Sequence, residues 1–296
     1  MPPREIDLPS FPYPAKFHRV DGGEMAYVDV GPAAAGSGQT ILCVHGNPTW
    51  SYYYRRVIER YSPSHRVVAV DHLGCGRSDR PSRRGFGYAM ADHVANLVSL
   101  IESLDLHNIT LVAHDWGGAI GTAAAIATID RIDRIMLLNT AAFPPPYIPR
   151  RIAVCRWPVV GPIAVRGFNA FARAAVPMAM NRGKLSADDA AALLAPYDGW
   201  QNRIAIDSFV RDIPMHRSHR TYATLSQLET DLPRLKNKPI GLTWGMEDWC
   251  FRPECLDRLA AVWPDALVTR IEDAGHYVLE DAPEEVLDSI DRLLSA

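Results

Sequence analysis

Long apolar runs are missing from this chain of 296 residues. No stretch approaches the ~20 residues that cross a bilayer, so a membrane span is not expected. Met1-Pro2-Pro3-Arg4-Glu5 at the start lacks the charged-then-apolar pattern of a secretory signal, and a cytoplasmic location is the expectation. Excess charge is absent too: a formal net charge of −3 gives no reason to expect nucleic acid or an anionic membrane as partner. Cysteine is scarce, with five residues irregularly placed, which argues for free thiols rather than a disulfide framework. Cys250 and Cys255 have no second pair to complete a zinc site. Internal repeats and low-complexity segments are lacking as well. What remains is the 48% hydrophobic, 22% charged make-up of an ordinary globular protein, long enough for one large domain with an insertion.

The organising stretch is Leu111-Val112-Ala113-His114-Asp115-Trp116-Gly117-Gly118. An apolar run over 109–113 reads as a buried parallel strand, and the Ala-rich stretch 119–127 reads as a helix. A strand that breaks into a helix through small residues has the layout of a nucleophile elbow. Asp115 stands where most such elbows carry Ser. A carboxylate is a poor acyl-transfer catalyst, but it attacks a saturated electrophilic carbon to give an alkyl-enzyme ester. An Asp here could also simply cap the helix that follows.

The rest of the chain supplies a context. Short apolar strands at 24–30, 40–44, 66–70, 109–113 and 135–138 alternate with helical patterns at 52–61, 90–104 and 119–127. Residues 71–84 read as a loop, and the Pro-rich residues 1–20 as an irregular arm. Such alternation argues for βαβ units and a mostly parallel, doubly wound sheet. The rhythm stops at Phe143-Pro144-Pro145-Pro146. From 143 to 233 only helical patterns appear, at 163–175, 186–194, 200–210 and 221–229. Strands resume at 240–244 and 267–271, and a helix over 283–294 follows. The expected organisation is an α/β core of residues 1–142 and 234–296 with a helical cap of residues 143–233.

Ligands of open α/β sheets bind beyond the carboxyl ends of the strands, and five strand ends carry chemistry here. His45-Gly46-Asn47-Pro48 is a turn whose N–H groups, with that of Trp116, can face a developing anion. Asp115 is the candidate nucleophile. Asn139 is neutral and cannot orient an imidazolium by charge. Asp248, beside Glu247, is the candidate orienting acid, with turn-capping as its ordinary alternative. His276, after the last strand, is the candidate base. The order nucleophile, acid, histidine is that of an α/β-hydrolase triad. His45 and His114 flank the site as structural groups.

Val112-Ala113-His114-Asp115-Trp116-Gly117-Gly118 together with His45-Gly46-Asn47-Pro48-Thr49-Trp50 resembles the haloalkane dehalogenase family of α/β-hydrolases, from about residue 25 onward. The resemblance implies an α/β-hydrolase fold, Asp115 as nucleophile, His276 as base and Asp248 as third member. It also implies that Asn47 and Trp116 hold the halide or oxyanion. Some members place a Glu at the position of Asn139, so the acid here is expected at Asp248. Asn139-Thr140-Ala141-Ala142-Phe143-Pro144, Phe168-Asn169-Ala170-Phe171, Ala195-Pro196-Tyr197-Asp198-Gly199-Trp200, Arg211-Asp212-Ile213-Pro214 and Trp244-Gly245-Met246-Glu247-Asp248-Trp249-Cys250-Phe251 are similar to the β-lactone decarboxylases of bacterial olefin biosynthesis within this branch.

The expectation is therefore an enzyme that converts cis-dialkyl β-lactones to cis-alkenes and carbon dioxide. The alternative is a hydrolytic haloalkane dehalogenase. Neither needs a metal or an organic cofactor. An epoxide hydrolase would want tyrosine proton donors in the cap, and Tyr147, Tyr197 and Tyr222 are candidates. A non-catalytic binding module on the same fold would be favoured by a missing triad member, and none is missing. The expected partner is an apolar small molecule, with a halide or carboxylate in the site; an oligomer or an assembly with pathway enzymes is compatible with the sequence. Phe168, Phe171 and Trp200 are candidate walls of the substrate pocket.

Overall fold

A computed structural model describes residues 6–32 and 39–296. Eight strands form one sheet: β1 Lys16–Val20, β2 Gly23–Val30, β3 Thr40–Val44, β4 Arg66–Val70, β5 Ile109–Asp115, β6 Ile132–Thr140, β7 Ile240–Gly245 and β8 Leu267–Ile271. Their spatial order is β1-β2-β4-β3-β5-β6-β7-β8. Pairing is antiparallel in β1–β2 and β2–β4 and parallel from β4 to β8.

The continuous apolar runs of β3, β4 and β5 follow from burial on both faces. Leu42, Val44, Leu111 and Ala113 point into a core shared with helices α2 (Met90–Ser103) and α3 (Trp116–Ala127). Their neighbours Ile41, Cys43 and Val112 point into a second core, which is shared with α1 (Arg55–Tyr61) and the helix Pro283–Leu294. The period of two thus sorts successive residues between two helical layers.

Between β6 and β7 every regular element among the described residues is helical, chiefly Arg150–Val154, Ala170–Met178, Ala187–Leu194, Ile204–Asp212 and Arg220–Asp231. No helix among the described residues is long and apolar enough to cross a membrane.

Two expectations need correction. Residues 16–20 of the supposed irregular arm form β1; residues 1–5 lie outside the described residues. Only Val20 of Lys16-Phe17-His18-Arg19-Val20 is buried, so this charged edge strand lacks the apolar signature of an inner one. The helix expected over 163–175 is broken. A wide turn at Ile163–Gly167 ends at Asn169, which takes a left-handed φ of 56° before Ala170–Met178 begins. Asn visits that conformation more readily than most residues, and its Nδ2 donates to the Tyr197 carbonyl from a neighbouring segment.

The close approach of α3 to β3 depends on Gly117, where a Cβ would sit 2.0 Å from the Val44 carbonyl oxygen. Gly117→Ala is expected to lower unfolding free energy by about 3 kcal/mol, because backbone rather than a flexible side chain must yield. Gly199→Ala, whose Cβ would meet nothing nearer than Asn202 Nδ2 at 3.7 Å, should stay within ~0.5 kcal/mol of the parent in the same urea titrations.

Candidate active site

Strand β5 ends on Asp115, which turns through φ 54° and ψ −129° before α3 starts at Trp116. That backbone is strained for a residue with a Cβ, and three small neighbours make room for it. A Cβ on Gly46 would lie 2.0 Å from Asp115 Oδ1, one on Gly117 would strike β3, and one on Gly118 would meet Thr140 Oγ1 at 2.0 Å. The Thr140 hydroxyl donates to the Asp115 carbonyl and pins the turn to β6.

The Asp115 side chain is 6% exposed. Its Oδ1 accepts the Asn47 backbone N–H at 2.6 Å, and the Trp116 N–H also bonds the carboxylate. Asn47 follows β3 in the turn His45-Gly46-Asn47-Pro48. Its Oδ1 is buried without a hydrogen-bond partner among the described residues, and its Nδ2 is 3.5 Å from the Ile206 carbonyl. Asn47 and Trp116 both line the cavity above Asp115.

A second line of bonds meets Asp115 from β7 and β8. His276 Nδ1 donates to Asp248 Oδ2 at 2.8 Å, and its Nε2 faces Asp115 Oδ2 at 3.7 Å. Asp248, not Glu247, is therefore the carboxylate against the imidazole; Glu247 points to solvent. Asp248 Oδ1 accepts the Cys250 N–H at 2.6 Å. Asn139 Nδ2 donates to Asp248 Oδ2 and to the Gly245 carbonyl, each at 3.0 Å, while its Oδ1 accepts the Gly245 N–H at 2.8 Å. The sequence marks Asn139 as unable to act as the acid but misses that it clamps the acid. The signal available was an Asn directly after an apolar strand, where it supplies the left-handed φ of 31° and a two-sided amide.

Electrostatics follow from burial. Desolvation pushes the Asp115 carboxyl above its ordinary range, opposed by His276 and by the N–H groups of Asn47 and Trp116. For His276, burial works against the charged form, but the Asp248 and Asp115 carboxylates outweigh it and move the imidazole up. His114, one residue before the elbow, has its pKa pushed well down by burial and by His276. Its Nε2–H donates to the His276 carbonyl at 2.8 Å. His45 is likewise structural: Nδ1–H donates to the Gly46 carbonyl and Nε2 accepts the His72 N–H.

Asp115 and His276 sit at the inner end of a cavity of about 660 Å³, within the ~300–1,000 Å³ of typical small-molecule sites. Its walls are mainly apolar and include Phe143, Ile152, Phe171, Met178, Leu225 and Phe251. Of the three aromatic wall candidates only Phe171 lines it. Phe168 is 71% exposed, and Trp200 lies outside under the Arg166 guanidinium. Both project from short turns that face solvent, which helical spacing alone does not reveal. Of the three tyrosines only Tyr147 lines the cavity, and its hydroxyl donates to the Cys250 carbonyl. Tyr197 is buried with its hydroxyl on the Thr49 carbonyl.

This strand order and strand-to-helix turn define an α/β-hydrolase fold, and residues 39–161 match the family model described as alpha/beta hydrolase fold. The chain is 36% identical over 288 residues to a cis-3-alkyl-4-alkyloxetan-2-one decarboxylase of Shewanella oneidensis, covering 96% of this chain and 89% of that one. It is 32% identical to haloalkane dehalogenase 2 of Mycobacterium tuberculosis, over 95% of this chain and 94% of the other. Among solved structures, the haloalkane dehalogenase DpaA of Paraglaciecola agarilytica superposes with a TM-score of 0.80 at 29% identity, covering 96% and 94% of the two chains. The chain belongs to the haloalkane dehalogenase family of α/β-hydrolases, a family of enzymes.

The clamp on Asp248 generates a test. Asn139→Asp places two carboxylates about 3 Å apart in a buried site, where both cannot ionise. One folded-state pKa then lies above its unfolded value, so the folded form binds more protons and stability falls as pH rises. The variant should lose clearly more unfolding free energy relative to the parent at about pH 8 than at about pH 5. Equal losses at both values in denaturant titrations would contradict the clamp.

Proposed function

We propose that this protein decarboxylates cis-dialkyl β-lactones to cis-alkenes and carbon dioxide, with Asp115 as nucleophile. The observation that carries this reading is a buried carboxylate lining a mainly apolar cavity of about 660 Å³, in a chain 36% identical to a protein named for that reaction. In this reading residues 143–233 are the cap that shapes the cavity.

The step is a displacement followed by a fragmentation. An Asp115 oxygen attacks the ring carbon that bears the lactone oxygen, and that carbon–oxygen bond breaks with inversion. The ring opens to an alkyl ester of Asp115 and a free carboxylate, which meets the donors of Asn47 and Trp116. The bond from that carboxylate to the neighbouring carbon then breaks, and its electron pair becomes the alkene as Asp115 departs as carboxylate. Anti geometry in the second step after inversion in the first makes the overall change syn, so a cis lactone gives a cis alkene. Atoms balance with carbon dioxide as the only other product, and water enters neither.

Hydrolytic dehalogenation is the second reading, and the His276–Asp248 pair favours it. Asp115 would displace halide toward Asn47 and Trp116, and His276, held in one tautomer by Asp248, would activate water against the ester. An epoxide hydrolase has less support, because Tyr147 is the only one of the three candidate tyrosines at the cavity and its hydroxyl is engaged.

Two experiments test this. The enzyme is incubated with a cis-dialkyl β-lactone and with 1-bromobutane in parallel, in water labelled with heavy oxygen. The expected result is alkene formed faster than alcohol, Asp115 unlabelled during lactone turnover and labelled during haloalkane turnover, and Asp115→Asn inactive toward both. Rapid alcohol formation with no alkene would assign the protein to the hydrolytic reading instead. The second is the pH dependence of kcat. Hydrolysis needs neutral His276, so alcohol release should fall as pH drops through the pKa of that imidazole in the alkyl-enzyme, where Asp248 still raises it but the Asp115 charge no longer does. Alkene formation needs only ionised Asp115, so its acid limb should lie at lower pH.

A further inference from the structure

The outer face of the helical insertion carries a patch that the catalytic reading does not use. Val154, Trp157, Val159, Val160, Ile163 and Phe168 are all exposed within fifteen residues of chain, with Val159 and Phe168 at 70% and 71%. Trp200 and Ile163 flank Gly167, which extends the patch from a second segment. Monomeric proteins seldom display so many large apolar side chains together. Val159 also adopts φ 64°, a strained conformation for a β-branched residue, at the tip of the turn that presents the patch.

The charge of the segment that carries most of it is one-sided. Residues 141–181 contain five arginines (Arg150, Arg151, Arg156, Arg166 and Arg173) and no Asp or Glu, in a chain whose net charge is −3. None of the five forms an ion pair with a carboxylate among the described residues. The buried Asp207 is already engaged by Arg83 and Arg211. The whole-chain charge averages this asymmetry away, which is why composition gave no hint of an anionic partner.

The patch adjoins the substrate cavity. Arg151, Ile152, Val154, Cys155 and Ala164, from the same segment, line the cavity wall, and Val154 is at once exposed and part of that wall. We propose that this face docks on an anionic lipid surface. Trp157, Val159 and Phe168 enter the interface, the exposed Arg150, Arg151 and Arg173 meet lipid phosphates, and the cavity wall lies against the bilayer. An exposed apolar face rimmed by cations is the pattern of peripheral membrane binding, and the arrangement would let an apolar substrate pass from lipid to Asp115 without crossing water.

Sedimentation of the full-length protein with phosphatidylcholine vesicles, and with vesicles of equal parts phosphatidylcholine and phosphatidylglycerol, tests this apart from catalysis. Binding to the anionic vesicles should be on the order of tenfold tighter than to the neutral ones and should weaken with salt. The triple variant Trp157→Ser, Val159→Ser, Phe168→Ser should lose vesicle binding. Arg150→Glu with Arg173→Glu should lose the preference for anionic lipid. Both should keep the parent's circular dichroism and its turnover of a short-chain substrate in buffer. No binding to either vesicle, or equal binding to both, overturns the proposal. So does concentration-dependent self-association abolished by the triple variant, which would make the face an interface between copies of this chain.

Discussion

A carboxylate held out of water at a turn that most residues cannot adopt is the constraint on which this molecule rests. Removing an ion from water costs several kcal/mol even after relaxation, and desolvation does raise the Asp115 pKa. What keeps the charge affordable is backbone: the N–H of Asn47 at 2.6 Å, the N–H of Trp116, and the first turn of α3, whose dipole favours an anion there. Those donors come from the ends of β3 and β5, neighbours in the sheet. Gly46, Gly117 and Gly118 leave the space these backbones need. Sheet order, glycine placement and the site's electrostatics are therefore one arrangement.

The same donors define what the site can hold besides Asp115. A group that arrives neutral and leaves anionic gains contacts as its charge develops, which is the condition for lowering a barrier rather than merely binding a substrate. A departing halide and the carboxylate of an opened lactone both meet it. The inner end of the cavity is thus indifferent to the choice between the two reactions. Selection between the two proposed reactions would then fall to the apolar walls contributed by the helical segment, such as Ile152, Phe171 and Leu225, and to water.

Much of this was legible in the sequence because the site residues sit where apolar runs stop. Asp115 and Asp248 end or follow buried strands and His276 follows the edge strand β8; the structure places Asp115, His276, Asn47 and Trp116 around one cavity, with Asp248 bonded to His276 Nδ1. The sheet could be read for the same reason, since inner strands buried on two faces are almost wholly apolar. The residues that escaped reading lack such a marker. Strand β1 is a largely exposed, charged edge without an apolar run. Asn139 acts through an amide bridging two backbone groups and Asp248, a role that exists only once β6 lies beside β7. Phe168 and Trp200 have the composition of pocket walls but lie on the outer surface, because spacing specifies a helix face and not which side of an irregular segment meets the cavity.

The coupling between Asp115 and His276 bears on how one site could serve both proposed reactions. Burial lowers the His276 pKa, the Asp248 carboxylate raises it, and Asp115 adds to the rise. Alkylation of Asp115 turns that carboxylate into a neutral ester and deletes its contribution. The imidazole then becomes more acidic at the moment when a base is required, with Asp248 still fixing Nδ1 so that Nε2 is the free nitrogen. At 3.7 Å, Nε2 is too far from Asp115 for a direct hydrogen bond, a spacing that suits a water approaching the ester better than a locked pair. In the proposed decarboxylation the ester would instead collapse by expelling Asp115. The regenerated charge would restore the raised His276 pKa, and the histidine would serve as a counter-charge rather than as a base. Whether the ester breaks by fragmentation or by hydrolysis is then a competition between carbon dioxide loss and entry of a single water beside His276. Mainly apolar walls around Asp115 and His276 would bias that competition against water.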